Sequence, residues 1–157
     1  MISWVEFSRI EPQMAADGRE ILYEVGVGLG LLGTVRADGG PRVHPICPVL
    51  NGDGLFAFIV PSPKQRDLHR DGRYVLHSIP LERNEDAFYL SGRARHVTDA
   101  ELRTRLGRQF AEERSALQVP APGDEQHLFE LHLESAMLTR TTGHGDPSPK
   151  HTVWHAT

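Results

Sequence analysis

Leu29-Gly30-Leu31-Leu32-Gly33-Thr34-Val35, Ala37-Asp38-Gly39-Gly40, the run 42–50, Asn51-Gly52-Asp53-Gly54 and Leu55-Phe56-Ala57-Phe58-Ile59-Val60 follow one another with almost nothing between them, and their reading decides the fold. Each apolar run is short and partly β-branched, which favours a strand over a helix. Each glycine-rich tetrad supplies the positive φ that a tight hairpin turn needs. Three strands joined by two tight turns predict an antiparallel meander, because a parallel pair would need a crossover of a dozen or more residues.

Upstream, Trp4, Phe7 and Ile10 recur at three-residue spacing behind Ser3, so one or two short helices broken at Pro12 are expected within residues 1–20. Downstream, Ser62-Pro63-Lys64 opens a helix, with serine as cap and proline in the first position, where no amide partner is required. Asp71-Gly72 ends it. Tyr74-Val75-Leu76 reads as a fourth strand. Residues 87–97 read as a fifth, with Phe88, Leu90 and Ala94 on one face. Thr98-Asp99-Ala100-Glu101 is a capping box ahead of the helical stripe Leu102, Leu106 and Phe110. Beyond a loop at 120–124, Phe129, Leu131 and Leu133 alternate with Glu130, His132 and Glu134 as in a half-solvated strand. Residues 143–157 are expected to trail over the surface as an extended tail. The expectation is a mainly β chain of six antiparallel strands with flanking helices, forming one domain over 1–157.

Composition agrees with a single globular core: 157 residues, 39% hydrophobic and 24% charged. No apolar run approaches the ~20 residues of a membrane span, and charges at Glu6 and Arg9 interrupt what a signal peptide would need. A cytoplasmic protein without membrane association is expected. Cys47 is the single cysteine, so neither an internal disulfide nor a thiolate zinc site is expected. The net charge of -4 removes the general electrostatic basis for nucleic-acid binding. A local basic group, Lys64, Arg66, His69, Arg70 and Arg73, is compact enough to meet one small phosphate. Nine histidines raise a metal question, but His127 with His132, and the tail set His144, His151 and His155, match no zinc-motif spacing, so no metal is expected. Gly26-Val27-Gly28-Leu29-Gly30 is followed by a strand rather than a helix and does not meet the dinucleotide fingerprint.

The stretch from Leu32 to Pro45, with Ser62-Pro63-Lys64-Gln65-Arg66-Asp67-Leu68 and Arg73-Tyr74-Val75-Leu76 after it, resembles the opening hairpin, phosphate helix and next strand of pyridoxamine-5'-phosphate-oxidase-like flavoproteins. The likeness covers about residues 22–98. It implies a homodimeric split β-barrel holding flavin mononucleotide (FMN) between subunits. Carried over residue by residue, Arg42, Val43, His44 and Pro45 run along the cofactor, Phe58 and Ile59 line its ring, and Ser62 and Lys64 hold its phosphate. Many relatives have arginine where this chain has Pro63. Arg66 is the expected substitute from the same turn, and a deazaflavin coenzyme is the alternative ligand. The end of the chain, Trp154-His155-Ala156-Thr157, lacks the basic motif that grips substrate phosphate in the vitamin B6 oxidases. The resemblance implies an FMN-dependent oxidoreductase acting on a small molecule, with a deazaflavin-dependent reductase or a non-catalytic flavin or haem carrier as alternatives. No catalytic side chain stands out. Strand alternation predicts that Arg42 and His44 face the cofactor while Cys47 packs in the barrel.

Overall fold

The computed structural model describes residues 1–80 and 84–157. Two helices, α1 (Trp4–Ile10) and α2 (Pro12–Leu22), open the chain. Ser3 caps α1 through a full capping box with Glu6, and Pro12 starts α2, as expected. Four strands follow: β1 (Gly30–Val35), β2 (Pro41–Ile46), β3 (Pro48–Asn51) and β4 (Gly54–Ile59). Helix α3 (Pro63–Arg70), strands β5 (Arg73–Ser78) and β6 (Ala87–Val97), helix α4 (Ala100–Glu113), and strands β7 (His127–Arg140) and β8 (Lys150–His155) complete it.

The strands form a single antiparallel sheet in the order β2-β1-β5-β6-β7-β4-β3. Its two terminal strands, β2 and β3, are separated in sequence by Cys47 alone, so the sheet must curl until its ends meet. The return strand expected over 42–50 is therefore two strands: β2 pairs with β1, and β3 pairs with β4. Pro48, which has no N–H to give a ladder, stands at the break.

Among the described residues, eight strands replace the six expected. Besides the divided return strand, the tail holds β8, which pairs with β7 from Ser135↔His155 to Arg140↔Lys150. Strand β7 is long enough to serve two neighbours on one edge: His127 to Glu130 pair with β4, and Ser135 to Arg140 with β8. Its other edge pairs with β6 throughout, with a register shift at Ser91/Gly92 that leaves Glu134 as the extra residue. A Cβ on Gly92 would lie 1.9 Å from the His132 carbonyl oxygen, so only glycine lets the two strands meet there.

Phe7, Leu22, Leu32, Leu55, Ile59, Leu76, Phe88, Leu90, Leu131 and Leu133 are buried together in the main core. Val49, Phe56, Leu106 and Leu128 make a smaller cluster beneath α4. Trp154 of β8 packs on this framework, its ring 4.9 Å from that of Phe7. Trp154→Ala is expected to lower unfolding free energy by about 1–2 kcal/mol, measured by urea titration, since it removes a half-buried aromatic pair. An unchanged midpoint would mean that β8 contributes nothing to the fold.

Candidate functional site

The residues expected to meet a cofactor lie on three elements. On β2, Arg42, His44 and Ile46 share the face turned toward α3 and the core, while Val43 and Pro45 face outward and are exposed. The Arg42 Nε donates to the Asp67 carboxylate at 2.7 Å. Asp67 also accepts from the Thr34 hydroxyl at 3.0 Å and from Arg70 at 3.1 Å. Burial works to raise the Asp67 carboxyl, and these three donors overcome it, holding it below its ordinary value. Arg42 thus ties α3 to the β1–β2 hairpin. His44 places Nε2 in a buried position without a hydrogen-bond partner.

At the end of β4, Ile59 is fully buried in the core, and its carbonyl accepts from the Gln65 side chain at 2.7 Å. Phe58 points elsewhere, edge-on to Phe110 of α4, with the Arg103 guanidinium 5.3 Å from its ring centre. It lines a groove of about 590 Å³ between α4 and the loop at 121–124.

At the start of α3, the Ser62 hydroxyl accepts from the Gln65 amide and donates to the Val60 carbonyl. The hydroxyl proton and one acceptor lone pair are thus used by the chain itself. Lys64 is half-buried and has no carboxylate partner among the described residues. Burial pushes its ammonium below the ordinary value, with Cys47 beside it acting in the opposite direction. Arg66 is exposed on the same turn. The Arg42–Asp67 contact joins the middle of α3 to β2, which ends at the β2–β3 break. Cys47 is partly exposed there rather than packed in the barrel.

A second groove, about 400 Å³, lies on the outer face of β1, β2, β5 and β6, lined by Gly33, Val35, Val43, Val75, Ser91 and Glu134 among others. Val43 is 61% exposed there. Of the expected site residues, it alone reaches this groove, so one chain does not gather all nine into one pocket.

Sequence reasoning missed one cluster entirely. His69 from the last turn of α3, His96 near the end of β6 and His127 at the start of β7 each bring a ring nitrogen within 4.8 Å of the others. His69 Nε2 is 2.7 Å from His127 Nδ1. Burial pushes His69 and His96 below the ordinary imidazole value, and the neighbouring rings add to it. His132, considered with His127 in the sequence, instead approaches Glu130 at 3.0 Å, without hydrogen-bond alignment. Three elements far apart in the chain supply the cluster, so no local spacing could signal it.

No helix among the described residues is long and apolar enough to cross a membrane. The sequence matches no family model and no curated protein. The structure does resemble solved ones. A haem-binding protein from Mycobacterium smegmatis superposes with a TM-score of 0.64 at 16% identity, over 87% of this chain. This chain spans 57% of that protein's length. The haem storage protein HutZ from Vibrio cholerae gives 0.61 at 22% identity, covering 79% of this chain and 89% of its own. A Clostridium acetobutylicum protein related to general stress protein 26, described as of the pyridoxinephosphate oxidase family, gives 0.65 at 14% identity, covering 89% and 92%. What these likenesses share with the chain is architecture, and the curled antiparallel sheet with its flanking helices is the pyridoxamine-phosphate-oxidase-like split barrel.

Proposed function

We propose that the protein binds FMN and acts as a flavin-dependent oxidoreductase on a small-molecule substrate. The observation that carries this reading is Lys64: a half-buried ammonium without a carboxylate partner among the described residues, in the first turn of a capped helix. Burying a cation costs free energy unless an anion meets it, and a helix start adds a positive dipole end. A phosphate at this point meets Lys64 and Arg66. Ser62 contributes indirectly, by holding the helix start. The flavin ring supplies hydride or electron transfer when bound. The chain's own part is to bind and orient it along β2, where His44, whose buried Nε2 has no partner, shares with Arg42 the face turned toward α3.

The spread of the nine residues over two faces of the sheet supports a homodimer in which a second copy completes each site. The glycine-floored outer groove with exposed Val43 and Val75 is the surface such a copy would cover. A haem-binding reading is favoured by a different observation, the structural likeness to the haem-binding protein of M. smegmatis and the haem storage protein of V. cholerae.

The visible spectrum of the purified protein, with the released ligand identified by mass, separates these readings. A flavin spectrum and FMN mass are expected. A haem spectrum would support the carrier reading, a deazaflavin mass would reassign the coenzyme, and a colourless chain that does not take up FMN would overturn the proposal. Lys64→Ala is expected to weaken FMN by about tenfold while changing riboflavin little, because it removes one charge-assisted phosphate contact at a partly solvated site. Equal losses for both ligands would exclude a phosphate at Lys64.

A further inference from the structure

We infer that His69, His96 and His127 form a binding site for one divalent transition-metal ion of the zinc class, with three imidazole ligands and a fourth position open to water or a small anion. The three ring centres stand 4.8, 4.9 and 5.0 Å apart, which makes a nearly equilateral triangle. One nitrogen from each ring lies within 4.8 Å of the other two, and the closest pair is 2.7 Å apart. Metal–nitrogen bonds of about 2.0–2.1 Å in tetrahedral geometry set nitrogens roughly 3.4 Å apart, so the observed separations bracket the required one. Small side-chain rotations bring all three to a common centre.

The scaffold suits such a site. His96 and His127 sit on paired strands, β6 and β7, and His69 comes down from the end of α3. Phe129, fully buried, two residues along β7 from His127 and paired with His96, lies beneath the cluster with its ring centre 5.0 Å from that of His69 and 5.5 Å from that of His96. It gives the rings an apolar floor that limits their rotation. No carboxylate or thiol joins the cluster among the described residues, so the fourth position falls on the solvent side, where His69 and His96 are exposed. Three neutral nitrogen ligands with one open position match zinc, cobalt and nickel rather than magnesium or calcium, which take oxygen ligands. The helix start at Lys64 is at the opposite end of α3, so the site is independent of the cofactor reading.

The test uses the full chain, stripped of metal with a chelator and titrated with Co(II), then with Zn(II). One Co(II) per chain with the visible ligand-field bands of a four-coordinate site is expected, displaced by one Zn(II). His69→Ala, His96→Ala and His127→Ala should each weaken binding by more than the roughly 10–100-fold that loss of an outer-shell partner costs. His151→Ala and His155→Ala, in β8, should change nothing. Sub-stoichiometric binding, binding that survives the substitutions in the cluster, or binding lost with the β8 histidines would overturn the assignment. Should the half-buried His127 variant fail to fold, the exposed His69 and His96 variants decide the matter alone.

Discussion

Phe88→Ala is expected to cost the fold about 3–5 kcal/mol. Phe88 is fully buried at the start of β6, and its ring stands edge-on to Trp4 of α1 at 6.2 Å. The other side of the ring presses on α2 at Gly18, where an added Cβ would come within 2.5 Å of it. A glycine inside a helix costs up to about 1 kcal/mol relative to alanine, so its place here is explained by this close approach. One ring therefore fills the space between the sheet and both N-terminal helices. Truncation leaves a cavity that two helices and a strand can close only in part. The Phe88 amide keeps its bond to the Ser78 hydroxyl at 2.9 Å, so the loss is one of packing alone. Urea unfolding should show a lower midpoint with an unchanged slope, and the melting temperature should fall by roughly 6–20 °C. A loss under about 1 kcal/mol would mean that the helices do not rest on this ring.

The sequence announces that contact only halfway. The spacing of Trp4 and Phe7 and the alternation of Phe88 with Leu90 mark inward faces, because periodicity reports which side of an element is buried. It does not report which buried faces meet. Gly18 carries no sign in the sequence that the Phe88 ring lies against it. The hairpin turns were legible for the opposite reason: a tight turn is local, and its glycines carry the conformational demand themselves. β8 was not legible, since Lys150 to His155 is exposed almost throughout and shows no apolar alternation, even though its partner, the end of β7, is the strand just before it. The division of β2 from β3 was hidden in the same way. Cys47 looks like the middle of a strand, and only the closing of the sheet makes it a corner.

Around the candidate site, the capped helix start was legible and the side-chain partnerships were not. Ser62-Pro63-Lys64 is a contiguous signal, and the structure places a capped helix there. Arg42 was expected to face a cofactor, yet its guanidinium is engaged with Asp67, a residue without any local mark of importance. Polar partnerships between elements depend on side-chain reach across tertiary contacts, which strand alternation cannot supply. The histidine cluster is the extreme case.

Asp67→Asn is expected to cost about 2–3 kcal/mol and to weaken ligand binding at Lys64 without any contact between Asp67 and a ligand. The side chain of Asp67 is 4% exposed and receives Thr34, Arg42 and Arg70. An asparagine keeps one acceptor but turns an amide N–H₂ toward donors and leaves two guanidinium groups without their counter-charge. Arg42 and Arg70 are partly exposed, at 27% and 40%, so solvent offsets some of the loss and keeps it below that of a fully buried pair. The pH dependence has a definite sign. The folded carboxyl titrates below its unfolded value, so its contribution is complete above about pH 4 and is lost as pH falls through the folded value. The gap between the two proteins in urea unfolding should therefore be constant from about pH 5 to 8 and should shrink in acid. A gap that persists unchanged into acid would make the loss one of shape and not of charge. Because Asp67 fixes the middle of α3 to the β1–β2 hairpin, freeing it lets the first turn and Lys64 shift against β2. The folded variant should then bind FMN more weakly than the parent at neutral pH, with riboflavin affected as well, a pattern distinct from the phosphate-specific loss expected of Lys64→Ala.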